Sequence, residues 1–445
     1  MIRSGLTVGR NTTESSLNDQ LLRFKPRSLE DKENNKALDA FSSGKAMAGS
    51  HNPSHDTLQS KCIEVIVANF AQRPIKEVIP PPQMAQITAA LPTDLPPIVA
   101  AKYVYNENYW KRCCIERFGW QNCNLEEHGL LWKQMFFEKV LQEKLEDFDP
   151  QTEEVEEIYD LVDACSDYIF TIRFRQLPSH LDMCDLCSLL PNLSRLDVVY
   201  GVNKIGMNYE RMLFGLKISD ATALAKCFDR TETLTTLQMP GNMIDDDLMR
   251  MLMTGLIKNN TITHIDLSHN KITNHGARLL SKLLGENSVI THLDLSDNQV
   301  YTEGGRYLAR GLRENDSLLT LNLRLNRLTD DGCRLLLEGL QDNTSLTDLN
   351  LGSNGVGKQS SQPLFSIIRD TDHRLAVLDV TGNELEAEHF ELMRLSLAHN
   401  RTLTGLDMRA NPGHAEATKA VAEIEKIIHT NEFHNRGRLT GNPNS

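Results

Sequence analysis

The chain has 445 residues, 40% of them hydrophobic and 24% charged, with a net charge of −13 and nine cysteines. That length accommodates two or three domains and a large core. No apolar run approaches the ~20 residues that span a bilayer, the acidic balance argues against nucleic acid as a partner, and the odd cysteine count without an apolar stretch after Met1-Ile2-Arg3 fits a reducing compartment.

In chain order, residues 1–57 are rich in Ser, Asn, Lys and Asp and read as a disordered or extended arm, basic at its start through Arg3, Arg10, Arg23, Lys25 and Arg27. A short amphipathic helix comes next, at 58–72. Ile79-Pro80-Pro81-Pro82, Leu91-Pro92 and Pro96-Pro97 then read as a stiff, extended connector, so 58–97 is one short helix plus a Pro-rich link. From 98 to 180 the pattern is helical. Tyr109, Trp110, Cys114, Ile115 and Phe118 crowd one segment, and Leu131, Met135, Phe136, Val140, Leu141 and Leu145 recur at mostly helical spacing in the next. We expect these helices to form a cap over the open N-terminal end of the domain behind them. The acidic run from Glu146 to Glu157 reads as a solvated helix start.

The remainder of the chain is built on a repeat. Ile290-Thr-His-Leu293-Asp-Leu295-Ser-Asp-Asn298 reads L-x-x-L-x-L-x-x-N, and the same frame closes at Asn242, Asn270, Asn298, Asn326, Asn354, Asn383 and Asn411, spaced 28, 28, 28, 28, 29 and 28 residues apart. The alternating apolar residues make a short strand, and the stretch after each Asn carries a helical pattern such as Leu308, Ala309, Leu312. Gly276, Gly304 and Gly332 are expected at the turn out of the loop. Asn259, Asn287, Asn315, Asn343 and Asn400 are expected to end helices in the left-handed conformation. One such unit cannot bury its own leucines, whereas stacked units cover each other. Parallel strands lie about 4.8 Å apart and helices need roughly 10 Å, so the stack bends with strands inside. The expected fold is therefore α/β: a leucine-rich-repeat solenoid over 181–431, a horseshoe arc of parallel strands inside and helices outside. A helical N-terminal domain precedes it. Residues 178–228 hold degenerate first repeats, Ala417 to Ile428 makes a last capping helix, and 432–445 is a polar tail. The seven ladder asparagines should turn inward and bond the backbone of neighbouring turns.

Between the two inward strand positions stand Asp266, Asp294, Asn322, Asn350, Asp379 and Asp407, which stacking places in one row, with Arg324, Arg409, His264 and His292 in adjacent rows. This row, with Arg324, is the candidate partner-binding surface, mainly acidic and suited to a basic segment; the competing reading is that Asp and Asn simply bond neighbouring turns at this position. Cys184-x-x-Cys187 has metal-ligand spacing but no second pair nearby and apolar flanks, so core cysteines are expected and no metal site is assigned. Gly352-Ser-Asn-Gly355-Val-Gly357 falls in register as a repeat turn rather than a phosphate loop. No nucleotide-binding, hydrolase or metalloprotease motif is found, so no catalytic residue and no cofactor is assigned.

Leu95-Pro-Pro-Ile-Val-Ala-Ala-Lys-Tyr-Val-Tyr105, Tyr109-Trp-Lys-Arg-Cys-Cys-Ile-Glu-Arg-Phe-Gly-Trp120 and Phe214-Gly-Leu-Lys-Ile-Ser-Asp-Ala-Thr-Ala-Leu224 carry a more specific signal. With the repeats, they resemble the t-complex-associated testis-expressed leucine-rich-repeat proteins, the family of the fifth subunit of the nexin–dynein regulatory complex. The resemblance covers roughly 60 to 435 and the repeats are of the ribonuclease-inhibitor class. It implies a non-enzymatic subunit of the axonemal linker between doublet microtubules, in the cytoskeleton of a cilium or flagellum, supporting dynein regulation and sperm motility. Its partners would be other subunits of that complex, with the doublet microtubule a further candidate for the N-terminal arm. No residue-level site transfers with the resemblance. Two other classes compete: an F-box-type ubiquitin-ligase adaptor, for which Pro96-Pro97 fits poorly, and a regulator of a small GTPase, which nothing in the sequence specifies.

Overall fold

The computed structural model describes residues 58–75, 79–149, 154–177, 181–201, 210, 213–285, 287–370 and 372–439. The arm at 1–57 and the last residues, 440–445, lie outside them. Two compact units divide at Leu91/Pro92.

In the first unit, helices α1 (Leu58–Asn69) and α2 (Pro81–Ala90) are joined by a bond from Gln59 Nε2 to Gln86 Oε1 at 3.4 Å. The triproline stretch expected to stay extended opens α2 instead. Pro81 occupies the first helical position, where the missing N–H would have had no intrahelical partner, and Pro97 opens α3 (Pro97–Tyr103) in the second unit by the same logic.

The second unit starts with α3, α4 (Glu107–Phe118), α5 (Trp132–Glu146) and α6 (Val155–Cys165). Their core is aromatic: Trp110 is fully buried, its ring edge-on to Tyr109 at 5.1 Å and 4.9 Å from Phe137. Lys133 is 3% exposed; its ammonium caps the end of α3 by donating to the carbonyls of Ala101 and Val104, over the Tyr168 ring at 4.1 Å. Burial lowers its pKa to about 8, against the pull of Glu107 and Asp167.

A nine-stranded parallel sheet comes next, in the order β1 to β9: Thr171–Leu177, Arg195–Tyr200, Thr236–Gln238, His264–Asp266, His292–Asp294, Thr320–Asn322, Asp348–Asn350, Val377–Asp379 and Gly405–Asp407. Sequential order without a crossover is what stacked repeats require. The sheet begins earlier than the signature does. β1, inside the stretch expected to be helical, pairs Ile172 with Leu196 of β2, which pairs with Leu237 of the first full repeat. Helix α5 lies along β1, and Glu138 Oε1 accepts from the backbone N–H of Phe170 (2.9 Å) and Thr171 (2.8 Å), while Glu146 accepts from that of Arg175. The outward N–H groups of an edge strand are thus satisfied by carboxylates of one helix. Buried Glu138 also pairs with His128 and Gln134.

From β2 on, each strand is followed by a helix: α7 is the short Met183–Ser188 before β2, then come α8 (Ile218–Arg230), α9 (Asp246–Leu256), α10 (Asn274–Leu283), α11 (Thr302–Glu314), α12 (Thr329–Leu340), α13 (Lys358–Arg369), α14 (Ala387–Ser396) and α15 (Thr418–Leu439). α15 runs well past the expected end of the solenoid at residue 431.

Three sets of side chains lock one repeat to the next. The seven signature asparagines are buried. Asn298 is typical: Oδ1 accepts from Ile272 N at 3.0 Å, and Nδ2 donates to Leu267 O (2.9 Å) in the previous turn and Leu295 O (3.1 Å) in its own. A second ladder runs along the helix ends. Asn259, Asn315, Asn343 and Asn400 donate to Phe228 O, Leu284 O, Leu312 O and Ile368 O, the last carbonyls of the preceding helix; His373 and Asn431 continue the series at Leu340 O and Asn400 O. None of these asparagines is left-handed, and they also cap the neighbouring helix; Asn315 ends its own helix as well, in extended conformation at φ −87°. Asn287 is exposed. Asn315, Asn343 and Asn400 each open an N-x-S/T sequon, and their burial leaves no room for a glycan there.

The third ladder joins helix starts. Asp246 Oδ1 accepts from Thr273 N and Gly276 N, Asn274 Oδ1 from Tyr301 N and Gly304 N, and Asp330 Oδ1 from Gly357 N and Ser360 N. α10, α11 and α13 are therefore N-capped by the previous repeat, whereas α9 is capped by its own Asp245. Gly276 and Gly304 sit inside the first helical turn, not at the loop exit; a Cβ at Gly304 would stand 2.4 Å from Val300 Cγ1 and 2.8 Å from Asn274 Oδ1. The left-handed residue lies further back in each unit, directly before the ladder asparagine: Gly241, His269, Asp297, Leu325, Ser353, Gly382 and Ala410 all have positive φ.

The step from α11 to α12 departs from this ladder. Where the third ladder would need Asp or Asn, Thr302 bonds Leu328 O, and the adjoining turn is reshaped with Thr329 at φ 64°. Leu328 N no longer reaches Asn354, whose buried Oδ1 has no partner.

Candidate interaction surface

Pairing register builds the surface. In every repeat the middle strand residue turns into the core and its two neighbours face outward. One outward row runs Arg173, Asp197, Gln238, Asp266, Asp294, Asn322, Asn350, Asp379, Asp407. The other runs Thr171, Arg195, Thr236, His264, His292, Thr320, Asp348, Val377, Gly405. Because strands pack closer than helices, this face is the inner one.

The Asp and Asn residues of the first row have a structural task. Asp266, Asp294, Asn322, Asn350, Asp379 and Asp407 each accept, through Oδ1, the N–H two residues ahead, fixing the strand exit. That leaves Oδ2 of each aspartate to meet other groups. Much of the charge is matched locally. Asp197 is chelated by Arg195 and approached by Arg173; burial nonetheless pushes its carboxyl above the ordinary range. Arg409 holds Asp407 below that range. Arg324 stands outside the row and reaches past Gly352 to Asp379 (3.6 Å) and Thr381 (3.2 Å). Asp294 takes the Asn322 amide at 2.8 Å.

His264 and His292 stack face to face at 4.0 Å and 11°, each with Nδ1 at 2.8 Å from a threonine hydroxyl. Burial, with His292 and Arg195 adding to it, lowers His264 to about 4; burial lowers His292 as well, against Asp348. The pair is neutral near pH 7.

Towards the last repeats the face becomes a groove of about 700 Å³, with β6 to β9 as floor and one stripe of α15, from Val421 to Glu432, as wall. Sequence reading placed the floor residues in one row and expected a last helix from Ala417 to Ile428, but not that this helix walls the inner face. The groove's other sequence trace is that the second outward row, polar through Asp348, turns to Val377 and Gly405. Among the described residues, Asp182, Cys184 and Asp185 are the one group with ligand atoms within 4.8 Å of each other. Asp182 already caps Cys184 N, and Arg230 donates to the Cys184 sulfur at 3.6 Å, which disfavours a cation there. Cys187 is not in the group.

The Leucine Rich repeat profile matches residues 258–281, 286–309, 314–337 and 342–359. The sheet is a leucine-rich-repeat solenoid. Among curated relatives, the chain is 40% identical over 195 residues to dynein regulatory complex subunit 5 of Chlamydomonas reinhardtii, covering 44% of this chain and 50% of that one. It is 33% identical over 228 residues to the Mus musculus protein of the same name, covering 45% of each, and 32% identical to the Homo sapiens one over the same length and shares. The chain thus spans about half the length of the curated relatives it matches. Among solved structures, an internalin (inlF) from Listeria monocytogenes aligns with TM-score 0.38 at 16% identity over 61% of this chain and 75% of that one. Leiomodin-1 actin-binding site 2 aligns with TM-score 0.27 at 15% identity over 51% and 96%.

Proposed function

We propose that this chain is a non-catalytic scaffold subunit of the axonemal nexin–dynein regulatory complex, where it binds other subunits and supports regulation of dynein-driven ciliary or flagellar motility. The observation that carries the reading is the 40% identity to a subunit of that complex. The solenoid suits the role: three inter-repeat ladders hold an inner face whose Asp and Asn side chains are fixed through Oδ1, leaving Oδ2 of each Asp and the Nδ2 amide of each Asn to meet other groups. The row of Asp266, Asp294, Asn322, Asn350, Asp379 and Asp407, with Arg324 beside it, is the proposed docking surface.

The test is co-sedimentation of the full chain with salt-washed axonemes lacking the endogenous subunit, beside recovery with a Skp-type adaptor. Binding to axonemes alone is expected; recovery with the adaptor alone overturns the reading. For the row itself, Asp266→Asn and Asp379→Asn together keep each Oδ1 acceptor while removing charge, as Asn322 and Asn350 already do; Asp294 is left intact because its Oδ2 takes the Asn322 amide. Weaker assembly at unchanged thermal stability is expected, and full assembly would place docking elsewhere.

A further inference from the structure

The groove at the last repeats differs chemically from the rest of the inner face. Val377 is 42% exposed, and Gly405 beside it carries no side chain. Leu406 of β9 is half-buried, whereas its equivalents in the earlier repeats are buried. Buried Ile424 and half-buried Ile428 of α15 line the wall of the same groove. The result is an apolar recess for one side chain, where two consecutive repeats give up their polar outward residue. Around it stand Asp348, Asp379 and Glu425, with Asp407 already matched by Arg409 and Asp379 only partly matched by Arg324. His429 and Glu432 pair with each other at 3.8 Å further along the wall.

We infer that this groove receives a basic segment of a partner protein carrying one aliphatic anchor: the anchor enters the recess over Gly405, and flanking Lys or Arg side chains meet Asp348, Asp379 and Glu425. An apolar anchor in a pocket ringed by charge is the usual source of interface affinity and register. A membrane or nucleic-acid surface would meet repulsion from the same acids. The inference rests on the scaffold reading and narrows it to one place and one class of ligand.

The experiment is fluorescence anisotropy with the full chain and a short fluorescein-labelled lysine-rich peptide holding a single central leucine. Two control peptides replace the leucine by serine or the lysines by glutamate. The leucine peptide should bind at low salt, and both controls should bind at least about tenfold more weakly. Gly405→Ile plugs the recess. The nearest atoms to a Cβ there are those of the Val377 side chain, from 3.4 Å, which is ordinary van der Waals contact. The plug should weaken the leucine peptide about tenfold and leave the serine peptide unchanged. Ile428→Lys tests the recess from the wall in case the plug disturbs β9, and Asp379→Asn with Glu425→Gln should flatten the salt dependence. Absence of binding, no preference for leucine over serine, or indifference to both Gly405→Ile and Ile428→Lys overturns the inference. Peptide binding with failed axonemal co-sedimentation would overturn only the complex assignment.

Discussion

The signature asparagine is the sharpest place to test how the repeats hold together, because one step of the ladder is already missing a bond. In Asn298→Ala the N–H of Ile272 loses its acceptor at 3.0 Å in a buried setting. The carbonyls of Leu267 and Leu295 each keep a second donor, from Asn270 and Asn326. An orphaned buried N–H costs about 1–3 kcal/mol, and two weakened carbonyls and a small void add about 1 kcal/mol, so the loss should be about 2–4 kcal/mol. Asn354→Ala orphans no N–H, since Asn354 Oδ1 has no partner to lose. Its amide donates only to Leu323 O and Gly352 O, and the cost should be about 1–2 kcal/mol. Exposed Asn287→Ala should stay within about 0.5 kcal/mol of wild type. Urea unfolding followed by far-UV circular dichroism reads all three. Equal losses at 298 and 354 would mean that the orphaned N–H is not what the ladder protects.

Gly255→Ala would set a Cβ 1.9 Å from Ala225 O, so α8 and α9 must part; a loss of about 1–3 kcal/mol is expected, and an unchanged urea midpoint would contradict that close approach. Leu325 is left-handed at φ 56° and 46% exposed, so Leu325→Gly should stabilise by up to about 1 kcal/mol, checked as a rise in melting temperature. His264 and His292 have folded-state pKa values below the ordinary 6.5, the former about 4. Between those values the unfolded chain binds more protons, so stability falls as pH drops from 6.5 towards 4 and no penalty remains above 6.5. His264→Asn with His292→Asn should flatten that slope in urea titrations at stepped pH; an identical slope would assign the acid sensitivity to other groups.

The repeat was legible because its signal is covalent spacing. A leucine frame and an asparagine at constant intervals dictate strand register whatever the intervening residues. The first ladder followed from the rule that a buried amide must be bonded, and the outward acidic row followed from the two-residue period of a strand. The helix-start ladder was hidden because Asp246, Asn274 and Asp330 are ordinary first-turn residues, and Thr302 breaks their series. The left-handed position was hidden for the opposite reason: the turn geometry is imposed by its neighbours, so Leu, Ser and Ala occupy it beside Gly and Asp. β1 carries alternating Ile172 and Phe174 but no closing asparagine, and so reads as the tail of the helical segment. The groove needs α15, whose placement over the inner face is a tertiary fact that no local pattern encodes.

The proposal that the inner face meets another polypeptide is tested most directly by a density map of the axonemal linker in place, with this chain fitted. Continuous density of a second chain along β4 to β9, ending in the recess over Gly405, is the predicted result. An inner face open to solvent, with every contact made by the outer helices, would contradict it.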